Sequence, residues 1–88
     1  MRFMILGTWD PEQRDGIYKQ RYEKGRMFPD KVKVISEWLD IAGGRQWLLV
    51  ESDDAIACFQ GANRWSNLGN YESVPVVEVQ DDKGTKIA

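Results

Sequence analysis

The sequence has no histidine, only one cysteine and no long apolar run, and each shortage removes a class of function. Without histidine, nucleophile triads with a His base, His-ligated haem and the common zinc sites are excluded. Cys58 cannot form a disulfide within the chain, which agrees with a reducing compartment. Any metal site would have to use carboxylates, and we predict none.

Other absences concern location and partners. The longest apolar run is far shorter than the ~20 residues that span a membrane. The N-terminus MRFMILG has no positively charged region followed by a long apolar stretch and a small-residue cleavage site. A net charge of −2 gives no attraction to nucleic acid or to anionic lipid. No glycine-rich phosphate loop is present. We therefore expect a cytoplasmic protein with no cofactor, no nucleic-acid partner and no membrane contact.

The chain length predicts a single domain with a small core. A chain of 88 residues buries roughly 60–65% of the surface that its unfolded form exposes. Its 42% apolar and 30% charged residues are ordinary for a globular domain. We predict one domain over residues 1–80 and a loose polar tail over residues 81–88.

The strongest structural signal is the stretch from Val32 to Ser52, VKVISEWLDIAGGRQWLLVES. Two runs rich in branched and aromatic residues flank Gly43-Gly44, which predicts a β-hairpin with a two-residue loop. This loop would place Trp38 opposite Leu49. The first arm alternates polar and apolar residues, as edge strands do, whereas the arm WLLV is apolar on both faces and is predicted to be central.

A strand and a helix are predicted before the hairpin. Residues 2–9 are apolar on both faces, which is typical of a central strand. The helix that follows should have Asp10 as its N-cap, Pro11 at its first position and Gln13 completing a capping box. Gly25 should end it.

A second helix and a last strand are predicted after the hairpin. The helix should begin at Ser52-Asp53-Asp54 and end near residues 67–69. The strand should cover residues 71–80. Because proline cannot donate a ladder hydrogen bond, either this strand is an edge strand or Pro75 lies near its start.

Helical spacing predicts which side chains face the sheet. In the first helix Ile17, Tyr18, Arg21 and Tyr22 cluster at this spacing, so the aromatic rings are expected to face inward. The charges from Arg14 to Lys24 are interpreted as a solvated face of this helix. In the second helix the inward side chains are Ala55, Phe59, Ala62 and Trp65, with Ile56 and Cys58 beside them. Met27 and Phe28 are expected to pack over the core from the connection at residues 25–30.

The element order is β-α-β-β-α-β, which predicts a ferredoxin-like α+β fold. Right-handed crossovers place both helices on one face of a four-stranded antiparallel sheet, with the first and third strands central.

Four segments, GTWDPE, the strand of Trp38, LLVESDDA and NYESVPVV, resemble a family of small uncharacterised proteins that share a domain of unknown function. The family belongs to the dimeric α+β-barrel group, and the resemblance covers nearly the whole chain. It implies a ferredoxin-like subunit paired into a barrel, but no activity and no catalytic residue. The wider group includes cofactor-independent monooxygenases, small isomerases and ligand sensors, which is an analogy of fold only.

The sheet face away from the helices predicts an obligate homodimer. It carries apolar side chains of the first and third strands, and so short a chain has no third layer to cover them. Exposing each such side chain costs about 1.5–3 kcal/mol relative to burial. A second copy, packed face to face about a two-fold axis, would cover them.

Four tryptophans suggest either core packing or an aromatic ligand cavity. We assign Trp9, Trp47 and Trp65 to the core. Trp38 is the best cavity candidate because its strand mixes it with Ser36, Glu37 and Asp40. We predict a ligand site between the sheet and the helices, where Gly16 and Gly61 leave gaps. Its candidate ligand-binding residues are Trp38, Glu37, Tyr18, Tyr22 and Phe59.

Other reactive side chains have simpler interpretations. Glu37 and Asp40 are either a buried acid or base or, more commonly, solvated edge charges. Cys58 is expected to be inert packing, and Arg64 to interact with the helix dipole. Asp53-Asp54 fits a helix start better than a metal site.

Three functions stay open. The first, which we favour, is a dimer that binds or senses a small apolar or aromatic molecule. The second is a cofactor-independent enzyme, of oxygenase or isomerase type, on a small organic substrate. The third is a structural or protein-interaction module, which an exposed apolar patch beyond the dimer contact would favour.

Overall fold

The computed structural model describes residues 1–85 and confirms the predicted β-α-β-β-α-β order. The elements are β1 (Arg2–Thr8), α1 (Arg14–Lys24), β2 (Lys33–Leu39), β3 (Arg45–Glu51), α2 (Ala55–Asn63) and β4 (Asn70–Val76). The sheet has the order β2-β3-β1-β4, with every neighbouring pair antiparallel. The ferredoxin-like α+β prediction is therefore confirmed, with β1 and β3 central and Pro75 on an edge strand.

Alternation along the strands gives the sheet two different faces. Ile5 of β1 lies opposite Leu48 of β3 and Ser73 of β4. Ile5 and Leu48 are buried on the side that the helices cover, which we call the helix face. Met4 and Leu6 point to the other side, which we call the open face, and are half-buried.

The core lies on the helix face in two clusters. The larger joins β1 and β3 to α2 through Phe3, Ile5, Val32, Leu48, Val50, Ala57, Cys58 and Ala62. The smaller consists of Trp9, Ile17 and Trp65. Phe28 packs against the first cluster and Met27 against the second, as predicted for the connection after α1. Burial also raises the pKa of the Cys58 thiol, which fits its predicted packing role.

The predicted start of the first helix is confirmed in its positions but not in its capping box. Asp10 is the N-cap residue and Pro11 takes the first position, but the segment that they begin is a 3-10 turn, Pro11–Gln13, that precedes α1. The Asp10 side chain makes no capping hydrogen bond within the described residues. The Gln13 amide instead donates to the Asp10 carbonyl, 2.9 Å away. The C-terminal stop is confirmed, since Gly25 has a φ of +71° and its amide donates to the Arg21 carbonyl.

The two aromatic rings predicted to face inward from α1 do not. Ile17 is buried, whereas Tyr18 is exposed and Tyr22 is 92% exposed. Ile17 and Arg21, four residues apart, occupy the sheet-facing stripe of this short helix. Tyr18 and Tyr22 are each one residue further round and face outward.

The second helix is shorter than predicted. Its N-cap is Asp54, whose side chain accepts a hydrogen bond from the Ala57 amide at 3.1 Å. The helix ends at Asn63 and gives way to turns, because Trp65 leaves its axis to join the smaller cluster. Ala57, Cys58, Gly61 and Ala62 face inward, while Ala55, Ile56 and Phe59, predicted inward, are exposed.

The hairpin is present, but its loop and register differ from the prediction. Gly43 and Gly44 have φ values of +93° and +92°, which confirms that they form the turn. The connection is nevertheless five residues long, because Asp40 starts the turn by accepting a hydrogen bond from the Ala42 amide. Trp38 therefore lies opposite Trp47 instead of Leu49.

The last strand ends at Val76, four residues earlier than predicted. The predicted tail at 81–88 lies partly outside the described residues, which end at 85. Within 81–85, the Asp81 side chain accepts hydrogen bonds from the Lys83 amide and the Thr85 amide. Neither helix of the described chain is long and apolar enough to cross a membrane.

Candidate functional site

A β-bulge in β2 turns Glu37 toward the helices. Val34 pairs with Val50, but the next pair is Ser36 with Leu49, so Ile35 is an extra residue in β2. Glu37 is three positions after Val34, an odd spacing that in a regular strand would put the two side chains on opposite faces. With the bulge, Val34 packs on the core and Glu37, opposite Leu48, also lies on the helix face.

Glu37 is the acceptor at the centre of a charged network. Its side chain is only 10% exposed. Arg21 of α1 donates from both terminal nitrogens, one to each carboxylate oxygen, with Nη2 at 2.6 Å from Oε1. Arg26, just after α1, donates from Nε at 3.1 Å and from Nη2 at 2.9 Å, both to Oε1.

Two neutral side chains extend this network toward β4. Gln46 is buried and donates from Nε2 to Glu37 Oε2 at 2.5 Å. The Tyr71 hydroxyl donates to Gln46 Oε1 at 3.2 Å. We call the side chains of Arg21, Arg26, Glu37, Gln46 and Tyr71 the polar cluster.

The polar cluster keeps its members in fixed protonation states. Burial raises the pKa of Glu37, but hydrogen bonds from Arg21, Arg26 and Gln46 outweigh burial and leave it below its ordinary value. The hydrogen bond to Glu37 raises the pKa of Arg21, and burial raises that of Tyr71. At neutral pH the cluster holds two guanidinium cations, one carboxylate and a neutral phenol, a net charge of +1.

A recess opens beside the polar cluster, between the sheet and the helices. The space in it that is open to a water-sized molecule measures about 10 Å³, room for about one water molecule, and the recess is open to solvent at its mouth. Its polar wall consists of Arg21, Arg26 and Gln46, and its apolar wall of Ile5, Phe28, Leu48, Trp65 and Tyr71. The Trp65 indole donates to the Arg26 carbonyl at 3.1 Å and fastens the connection over this recess.

Only one of the five predicted ligand-binding residues lies in this cluster. Glu37 is at its centre, but Trp38, the next residue in the strand, is on the open face and 49% exposed. Tyr18 and Tyr22 lie on the outer side of α1, and Phe59 on the outer side of α2, 59% exposed. The predicted grouping near Trp38 is therefore wrong, because neighbouring strand residues face opposite ways.

Sequence reasoning did not identify four members of the polar cluster as candidate site residues, namely Arg21, Arg26, Gln46 and Tyr71. Two of them carry a sequence signal, since Gln46 alternates with the buried Leu48 and Val50, and Arg21 follows Ile17 by four residues. Arg26 and Tyr71 have no local signal, because their positions depend on the packing of distant segments. In the part of the chain that the structure describes, no three Cys, Asp or Glu side chains gather closely enough to hold a metal ion.

The gaps predicted at the two helical glycines are filled. Phe28 packs directly over Gly61, and the Leu68 side chain lies against Gly16. Neither helical glycine therefore leaves the gap that the sequence suggested.

The open face presents a continuous apolar surface. One row across the sheet contains Trp38 of β2, Trp47 of β3 and Leu6 of β1. The next row contains Leu49, Met4 and Val74. We call these six side chains, all at least partly exposed, the apolar patch. Charges of both signs lie beside it, among them Arg45, whose guanidinium is 5.7 Å from the ring centre of Trp47, and Glu72.

Replacing Glu37 with Gln should lower stability and flatten its acid dependence. The folded-state pKa of Glu37 is depressed, so its contribution is present above the ordinary value of 4.5 and is lost as pH falls through the folded-state pKa. At pH 7 we expect Glu37→Gln to cost about 1–3 kcal/mol, since the arginines are partly exposed. Urea unfolding at pH 7 and at pH 3 measures both effects.

The control for this prediction is Glu23→Gln, which changes an exposed carboxylate of α1. Its unfolding free energy should stay within about 0.5 kcal/mol of the parent at both pH values. Equal acid dependence in Glu37→Gln and the parent would contradict the assigned role of Glu37.

Residues 1–84 match the model of a protein family described as Domain of unknown function (DUF3303). The match covers nearly the whole 88-residue chain. No curated protein and no solved structure is significantly similar to the chain.

Proposed function

We propose that this chain, which belongs to the DUF3303 family, is a homodimeric protein that binds or senses a small, largely apolar or aromatic molecule in the recess beside the polar cluster. One observation carries the proposal: an aromatic-lined recess has convergent polar groups along one wall, of which Gln46 is buried and the two arginines are partly exposed. Binding sites for small molecules have this composition, apolar surface with a few polar groups that fix orientation.

The size of the recess limits the molecule. The free space of about 10 Å³ is far below the 300–1,000 Å³ usual for ligand pockets, so a ring does not fit the recess with Phe28 in its present position. A single ring enters if Phe28, which lies in the connection after α1, moves aside. A larger molecule needs a larger movement.

The polar cluster argues against the enzyme alternative. A general base works best when its pKa lies near the working pH. Glu37 has a lowered pKa and four of its five donors are guanidinium N–H groups, so it is a weak base. Tyr71 has a raised pKa and stays protonated, so the two groups suit orientation of a ligand better than proton transfer.

The homodimer part of the proposal is supported by the apolar patch. A chain with this patch exposed would leave six large apolar side chains in water, and soluble monomers rarely show a contiguous patch of this kind. A second copy is the occupant that the surface fits, since a two-fold axis brings apolar rows onto apolar rows and lets charges of both signs meet. Sedimentation of the chain at micromolar concentration should give the mass of a dimer.

Titration with a one-ring aromatic probe tests the binding site. In two-dimensional NMR spectra with benzyl alcohol, we expect the Trp65 indole N–H signal to shift most among the four tryptophans, because Trp65 lines the recess. Trp65→Phe assigns that signal by its disappearance.

A matched pair of variants locates the probe. Phe28→Leu removes a ring from the recess and should weaken binding about fivefold, whereas Phe59→Leu on the outer side of α2 should change it less than twofold. Shifts confined to Trp38 or Trp47 would place the probe on the open face and contradict the proposed site. No saturable shift with benzyl alcohol or a charged analogue would leave the interaction-module alternative, which the exposed Tyr22, Ile56 and Phe59 favour.

A further inference from the structure

Glu37 is surrounded by more hydrogen-bond donors than one carboxylate can accept with good geometry. Glu37 receives five hydrogen bonds, and a carboxylate has about four lone-pair positions. Three of the five converge on Oε1, one from Arg21 and two from Arg26. The cluster therefore contains two guanidinium forks and a single carboxylate.

The two arginines use Glu37 differently. Arg21 spans both carboxylate oxygens, which is the bidentate arrangement that suits a guanidinium. Arg26 directs both its donors at one oxygen that Arg21 already uses. Arg26 is also the more exposed of the two, 46% against 35%, and it lies on the wall of the recess.

We infer that Arg26 binds the carboxylate of a small one-ring aromatic acid whose ring lies against Phe28 and Trp65. This inference rests on the proposed function, because it assigns a ligand class to the same recess. A second carboxylate gives each guanidinium fork its own bidentate acceptor. Arg21 keeps Glu37, and Arg26 turns from Glu37 Oε1 to the ligand.

Charge selects a monoanion for this position. The polar cluster carries a net charge of +1, so one added carboxylate makes it neutral. A neutral aromatic molecule leaves the charge of Arg26 without a full partner, and a dianion adds a negative charge beside the ionised Glu37. Gln46 already donates to Glu37 and accepts from the Tyr71 hydroxyl, so Arg26 is the group with donors to transfer.

Benzoate and benzamide test the inference, because they share a ring and differ in charge. By NMR titration of the dimeric chain, benzoate should bind roughly tenfold more tightly than benzamide. In Arg26→Gln this preference should fall to about onefold, because benzoate loses its guanidinium partner. Arg26→Lys keeps the charge without the two-pronged guanidinium group and should retain part of the preference. If Arg26→Gln does not fold, Arg26→Lys takes its place in the test.

Arg14→Gln, a change to an exposed arginine outside the recess, is the control and should leave the preference intact. Equal affinity for benzoate and benzamide in the parent would overturn the carboxylate assignment while the proposed function survives. A benzoate preference that persists in Arg26→Gln would overturn the role of Arg26. Binding of neither probe would overturn both the inference and the proposed function.

Discussion

Leu49→Arg should convert the proposed homodimer into a monomer. Leu49 lies inside the apolar patch, opposite Met4 of β1 and Ser36 of β2. In a two-fold dimer both copies carry the change, so two unpaired guanidinium groups would be buried in one interface. We expect the association constant to fall at least about a thousandfold, which corresponds to about 4 kcal/mol. Sedimentation velocity at 1–50 μM, with circular dichroism to verify the fold, measures this.

Ile41→Arg is the matched control, since it introduces the same charge at a fully exposed isoleucine in the hairpin loop. It should sediment like the parent. The dimer proposal fails if the parent is a stable monomer at micromolar concentration, or if Leu49→Arg dimerises as well as the parent does.

Gly61→Ala should be strongly destabilising although alanine is the better helix former. The ideal Cβ position at Gly61 overlaps the Phe28 ring and lies only 2.8 Å from its Cγ. Phe28 would have to leave the core, and the loss of its burial exceeds the helical gain of about 1 kcal/mol. We expect a net loss of about 1–3 kcal/mol in the free energy of unfolding, measured in urea.

Gly16→Ala provides the comparison within the same chain. It is the same change in a helix, but the nearest atom is a methyl group of Leu68 at 3.2 Å, which can give way. We expect it to be neutral or to stabilise by up to about 1 kcal/mol. In a Phe28→Ala background, Gly61→Ala should also become nearly neutral. A large cost that persists in this background would show that Phe28 is not the cause.

The sequence was sufficient for the architecture because its signals are local or periodic. Runs apolar on both faces identified β1 and β3 as central, and Gly43-Gly44 identified the turn. Where a side chain competed with these signals, the prediction failed. Asp40 starts the turn earlier than the glycines alone suggest, and it shifts the register by two residues. From Ser36 to Leu39, beyond the bulge, this even shift leaves each side chain on the face that it would otherwise occupy.

The site was less predictable because it joins segments that are distant in sequence. Hydrophobicity suggested that Tyr18 and Tyr22 face inward, but the inward stripe of α1 holds Arg21, which Glu37 stabilises from β2. A charged residue can take such a position only when its partner arrives with the fold. The aromatic side chain of Trp38 did indicate an apolar surface, but this surface is the open face and not the recess.

The extra residue in β2 makes the chain unequally tolerant of small deletions and insertions. Loss of one residue from the exposed connection 40–44 shortens a surface loop. Loss of Ile35 would restore strict alternation of side chains along β2, so Val34 and Glu37 could no longer both face the helices. Either the core loses a valine or the two arginines lose their carboxylate. Among natural variants of this chain, length changes should therefore accumulate in the hairpin loop and be rare in the middle of β2.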